Sequence, residues 1–186
     1  MRCRYMCINA KQQTIKPHYI YTMRYLSFVL LFCMCSVAGM AQEKVDDVHI
    51  YDVHADAFAD MRAAEKQARK EHKHVLLQVG GNWCVWCRRF NNLITTDADL
   101  KRIVDSNYVI VHVNYSPENK NQKVLASLGY PQRFGYPVFV ILDADGNRLH
   151  TQNSAYLEEG EGHSKKKVEQ FLRQWSAAAL DPANYK

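Results

Sequence analysis

Three observations predict a single α/β domain. Segments of helical periodicity alternate with short apolar runs between residues 55 and 180. The stretch from Gln42 to Lys186 is the size of one domain with one core. Finally, Trp83-Cys84-Val85-Trp86-Cys87 follows directly on the apolar run Val75-Leu76-Leu77-Gln78-Val79, which puts two thiols where a strand gives way to a helix.

The N-terminal region reads as a leader. Arg24 precedes an apolar stretch from Leu26 to Val37, and Val37-Ala38-Gly39-Met40-Ala41 offers small residues three before and at a cut after Ala41, the pattern of a secretory signal peptide over residues 23–41. The uncharged run 25–41 falls short of the roughly 20 residues that span a bilayer, so an uncleaved anchor is the weaker reading. A lipoprotein signal fits worse, because Cys33 follows Phe32 and Cys35 follows Met34. Residues 1–22 are read as an upstream tail arising from start-site choice, and 42–186 as the folded domain.

Removing the leader changes the charge balance. The 186-residue chain has 24 Lys and Arg against 19 Asp and Glu, a formal net charge of +5. Five of the basic residues (Arg2, Arg4, Lys11, Lys16, Arg24) and none of the acidic ones precede residue 42, which leaves 19 against 19. A nucleic-acid partner is therefore not expected, and a membrane only through an unprocessed leader.

Along the domain, Asp56–Lys70 reads as an amphipathic helix with Phe58, Met61 and Ala64 or Glu65 on one face. Val75–Val79 is a buried strand, broken by Gly80-Gly81-Asn82. Cys84 opens a helix to about Leu93. Asp97–Ser106 is a further helix capped by Thr95, Thr96 or Asp97, and Tyr108–Tyr115 is the clearest strand. After the polar loop 116–121, Gln122–Leu128 is a short helix stopped by Gly129. Val138–Leu142 is a strand that turns through Asp143–Asn147 into Arg148–Gln152. Ser164–Ala179 closes the chain as a helix with Val168, Phe171, Leu172 and Trp175 on one face.

The cysteine pair carries the chemistry. Of six cysteines, only Cys84 and Cys87 lie beyond the leader. Positions i and i+3 share a helix face, so the two can bridge with little rearrangement. The N-terminal thiol gains most from the helix dipole and the unsatisfied N–H groups, which favour its thiolate. Cys84 is thus the expected nucleophile and Cys87 the resolving thiol. Two bland readings compete. A permanent staple closing so short a loop stabilises little. A zinc site needs about four ligands, and only scattered histidines (His49, His54, His72, His74, His112, His150, His163) remain to supply them. No metal or cofactor is expected, and each histidine is expected at the surface or in a loop. Arg88 and Arg89 are expected on a solvated face.

A strand, then Trp-Cys-x-x-Cys opening a helix, then Gly135-Tyr136-Pro137 before a hydrophobic strand and an Asp-x-x-Gly turn, resembles the thioredoxin superfamily, and most of all its secreted members. The resemblance covers residues 55–180. It implies the thioredoxin fold, a central mixed β-sheet flanked by helices. It also implies that Pro137 is a cis-proline packed against the sulfurs, that the Tyr136 backbone pairs with an extended substrate, and that Trp83 is a flat apolar surface beside the nucleophile. Two positions depart from the pattern. Gln78 stands where thioredoxins place a buried acid that assists proton transfer at the inner cysteine, and Val85-Trp86 replaces Gly-Pro between the thiols. Related motifs span about −120 to −270 mV.

The function these features imply is exchange of disulfides with protein thiols in the periplasm, with a membrane electron donor or acceptor to recharge the pair. The competing class is a binding module that recognises an extended peptide beside Tyr136-Pro137 with little redox turnover. Nothing near Cys84 supplies the Thr and Arg setting of a peroxide-reducing cysteine.

Overall fold

The computed structural model describes residues 49–186, so the tail expected at 1–22 and the signal peptide expected at 23–41 lie outside the described residues. Helix α1 (Ala57–Glu71) starts where the Asp56 carboxylate accepts the Ala59 N–H, and it turns Ala57, Met61, Ala64 and Ala68 inward. Strand β1 (His74–Gly80) is buried along its whole length, which explains its lack of alternation. Helix α2 (Val85–Thr96) follows. Helix α3 (Ala98–Asn107) takes its cap from Asp97, whose carboxylate accepts the N–H groups of Asp99 and Leu100. Strand β2 (Tyr108–Asn114), the short helix α4 (Gln122–Ser127), strand β3 (Val138–Leu142) and strand β4 (Arg148–Asn153) come next. Gly129, at φ +72°, ends α4 in the left-handed region that glycine adopts without strain.

The sheet has the order β2-β1-β3-β4. β1 runs parallel to β2 and antiparallel to β3, and β4 is antiparallel to β3. This is the mixed sheet and the α/β thioredoxin-like fold that the sequence predicts.

Alternation along β1 sends its side chains to two cores. Val75, Leu77 and Val79 pack with α1 and α4 on one face. Leu76 faces Phe90 and Ile94 of α2, Leu100, Ile103 and Val104 of α3, and Phe171 and Leu172 of the last helix, α5 (Lys165–Gln174). Gln78 shares the parity of Leu76, so its amide is delivered toward α2 rather than α1.

Two features differ from the sequence pattern. Strands β5 (Glu158–Glu159) and β6 (Gly162–His163) form a small hairpin ahead of α5. Helix α5 also stops at Gln174 instead of running to Ala179. There the Ser176 hydroxyl donates to the Arg173 carbonyl and accepts the Ala179 N–H, so the chain tightens into a turn.

Candidate functional site

The site is built at the end of β1, where Gly80 to Trp83 lead into Cys84. Cys84 is the N-cap of α2: its backbone is extended (φ −89°, ψ 104°) and its Sγ accepts the Cys87 N–H at 3.1 Å. A disulfide joins Cys84 and Cys87, with their Cα atoms 5.2 Å apart. The first sulfur-bearing residue is 5% exposed and the second 0%.

Trp83 is the exposed member of the site, at 55%. Its Nε1 donates to the Tyr115 carbonyl at 2.8 Å, and its ring stands edge-on to Tyr136 with centroids 5.3 Å apart. Tyr136 in turn stacks on Tyr115 at 5.1 Å and packs against the buried cluster of Tyr51, Cys84 and Cys87. The Tyr136-Pro137 bond is cis. Cys84, Cys87, Trp83 and Tyr136, named from the sequence, thus meet in one place. Beside them a cleft of about 350 Å³ is lined by Trp83, Tyr115, Ser116, Pro117 and Lys120.

Behind the sulfurs lies an arrangement that the sequence does not announce. Gln78 is buried, and its Nε2 donates both hydrogens: one to the Tyr51 hydroxyl at 2.9 Å, the other to the Cys87 carbonyl at 3.1 Å. Its Oε1 is buried with no hydrogen-bond partner. Burial raises the Tyr51 phenol well above its ordinary pKa, with the Gln78 bond opposing, so Tyr51 stays protonated. The Tyr51 ring meets the edge of His112, centroids 5.3 Å apart.

The charged and histidine residues depart from expectation. Arg88 does not simply face water, because its Nη1 donates to the Asn82 carbonyl at 2.5 Å and ties the loop to α2. The Arg89 guanidinium lies 5.3 Å from the Trp86 ring centroid, where the ring quadrupole attracts it. Trp86 is half-buried against the disulfide cluster and edge-on to His163 at 5.5 Å. His163, on β6, also meets Phe90, and burial with the nearby Arg89 charge pushes it down to about 4. His74 is buried with Nδ1 2.8 Å from the Trp175 carbonyl, and His112 faces inward from β2, where burial lowers its pKa. The expectation of surface or loop placement fails for these three, because each ring is held by contacts distant in sequence. Among the described residues no group of three or more His, Cys, Asp or Glu could hold a metal ion.

A mixed sheet with a bridged Cys-x-x-Cys pair at a strand-to-helix junction defines a thioredoxin-like oxidoreductase. Residues 56–144 match the family model described as thioredoxin-like. It is 27% identical over 92 residues to the disulfide bond reductase DsbH of Chlamydia pneumoniae, a match covering 46% of this chain and 55% of that protein. The chain therefore spans about half the length of that curated relative. A disulphide isomerase from Xylella fastidiosa Temecula1 has the same fold, with a TM-score of 0.61 at 24% identity over 68% of this chain and 96% of the other.

Proposed function

We propose that this protein is an extracytoplasmic thiol–disulfide oxidoreductase that exchanges disulfides with protein clients. The observation that carries the reading is the Cys84–Cys87 bridge at the N-terminus of α2, its outer sulfur already accepting the Cys87 N–H. That N–H and the positive end of the helix favour a thiolate at Cys84 once the bridge is open.

In the reducing direction the Cys84 thiolate attacks a client disulfide, forming a mixed disulfide and expelling one client thiolate. The Cys87 thiolate then attacks the Cys84 sulfur, which closes the bridge and expels the second. Two electrons pass from the dithiol to the client, and the protons lost by the cysteines end on the client thiols. Oxidation of a client runs the same steps backward. The exposed Trp83 face and the Tyr136 backbone flank the sulfur where an extended client segment would lie. The leader reading supports export, and an oxidising compartment is where such a pair needs a redox partner.

The test uses full-length variants and a model protein disulfide. Cys84→Ser is expected to abolish exchange, and Cys87→Ser to accumulate mixed disulfides with the client. Full activity of Cys84→Ser would overturn the reading. A client-binding protein without turnover, the reading that Gln78 favours in place of an acid, predicts instead a bridge that stays inert in glutathione buffers of physiological potential.

A further inference from the structure

The inner cysteine has lost the acid that the resemblance leads one to expect, yet the space it would serve is not apolar. Gln78 occupies that position, and its amide hydrogens are both committed, one to the Cys87 carbonyl and one to the Tyr51 oxygen. Tyr51 therefore accepts, and its own O–H hydrogen is left to point elsewhere. Tyr51, Cys84 and Cys87 pack together as one small buried cluster. Gly80 shows how close the groups stand: a Cβ there would collide with the Cys87 sulfur and lie 2.8 Å from the Tyr51 hydroxyl. The phenol is anchored at both ends of its residue, since the Asn82 Oδ1 accepts the Tyr51 N–H at 3.0 Å and the Asn82 Nδ2 donates to the Tyr51 carbonyl at 2.8 Å.

We propose that Tyr51, oriented by Gln78, is the hydrogen-bond donor to the Cys87 sulfur whenever the bridge is open, and so takes over the stabilisation of that thiolate by a neutral group. The inference rests on the exchange reaction proposed above. When a client thiolate attacks the Cys84 sulfur, the S–S bond to Cys87 breaks and Cys87 leaves as a thiolate carrying the bonding pair; the phenol O–H donates to it, and water supplies its proton afterwards. When Cys87 resolves a mixed disulfide, its proton goes to water, the phenol holds the resulting thiolate, the new S–S bond forms to Cys84, and the client thiolate departs. The phenol donates throughout and never gives up its proton. His112, the titratable neighbour on β2, meets Tyr51 edge-on, and its buried Nε2 has no hydrogen-bond partner, so the phenol hydrogen is not spent on that ring.

The substitution Tyr51→Phe removes the donor and keeps the ring. Cys87 can be titrated by thiolate absorbance as the difference between full-length Cys84→Ser and Cys84→Ser/Cys87→Ser, each measured with and without Tyr51→Phe. The expected result is an upward shift of about one pH unit in Cys87, the size that one lost hydrogen bond to an anion gives. In the chain with both cysteines, the mixed disulfide of Cys84 with glutathione should then live about threefold longer near neutral pH, because a tenfold loss of thiolate is partly offset by higher nucleophilicity. Gln78→Leu, which untethers the phenol, should shift Cys87 in the same sense, and it decides the matter if Tyr51→Phe does not fold. An unchanged Cys87 titration in the folded variant overturns the assignment. Because that titration needs no turnover, a failed client assay with a shifted Cys87 would sink the proposed function and leave Tyr51 as the donor.

Discussion

Asn82 holds Tyr51 by both sides of its peptide backbone, accepting its N–H at 3.0 Å and donating to its carbonyl at 2.8 Å. The same Oδ1 also accepts the Ile50 N–H at 3.0 Å. A side chain between strand and redox helix thus pins a segment 31 residues away. Asn82→Ala would leave part-buried backbone groups unpaired, each costing roughly 1–3 kcal/mol. We expect the variant to lose about 2 kcal/mol in urea unfolding; a change below about 0.5 kcal/mol would show that water replaces the bonds without loss.

Gly80→Ala tests the close approach at the end of β1. The added methyl would strike the Cys87 sulfur and crowd the Tyr51 hydroxyl, and overpacking of this kind costs typically about 1–3 kcal/mol. The expected outcome is a lower unfolding midpoint with an unchanged denaturant slope. A neutral result would mean that α2 shifts freely at its first turn.

Trp83 is held by its Nε1 bond to Tyr115, while 55% of the residue remains exposed beside the cleft. Trp83→Ala should lower kcat/KM for a protein disulfide about tenfold, through loss of a flat apolar contact worth on the order of 1–2 kcal/mol. Turnover of a small disulfide such as oxidised glutathione should change less than about threefold. Equal losses on both would place the defect in the chemistry at Cys84 rather than in client docking.

His163 makes stability depend on acid. Burial, followed by the Arg89 charge, lowers it from 6.5 to about 4, so the unfolded chain binds a proton that the folded chain refuses in between. This contribution is complete above pH 6.5 and is lost as pH falls toward 4. His112 is lowered by burial too and acts in the same sense below 6.5. Urea midpoints from about pH 7 to about pH 4.5 should therefore fall less steeply for His163→Gln than for the parent. Parallel curves would mean that the ring is protonated without cost.

What the sequence reveals is what local pattern encodes. The apolar run of β1, a cap within Thr95 to Asp97 and the Gly129 stop each follow from residues within a few positions, and the strand-to-helix thiol pair needs no tertiary information at all. Tyr51 is invisible to such a reading because its partners, Gln78 and Asn82, lie 27 and 31 residues away. The β5–β6 hairpin escapes it because strands of two residues are too short to show alternation. Periodicity overextends helix α5 because the alanines at 177–179 favour helix, while a single hydroxyl at Ser176 diverts the backbone. Gln78 stands out as a departure from the thioredoxin pattern, but that its amide recruits a phenol depends on the segment around Tyr51 folding across to β1.

In the proposed exchange Cys84 holds two offices at once: its sulfur is the one attacked, and the same sulfur closes the first turn of α2. Replacing it therefore alters a bond-forming sulfur and a helix end in one stroke. Serine keeps an acceptor of a kind that helix starts prefer, whereas alanine leaves the Cys87 N–H only the Cys84 carbonyl, at a cost of about 1 kcal/mol. The two replacements should be equally dead in exchange and unequal in thermal midpoint, and that gap measures how much of the helix is held by the sulfur that the reaction borrows.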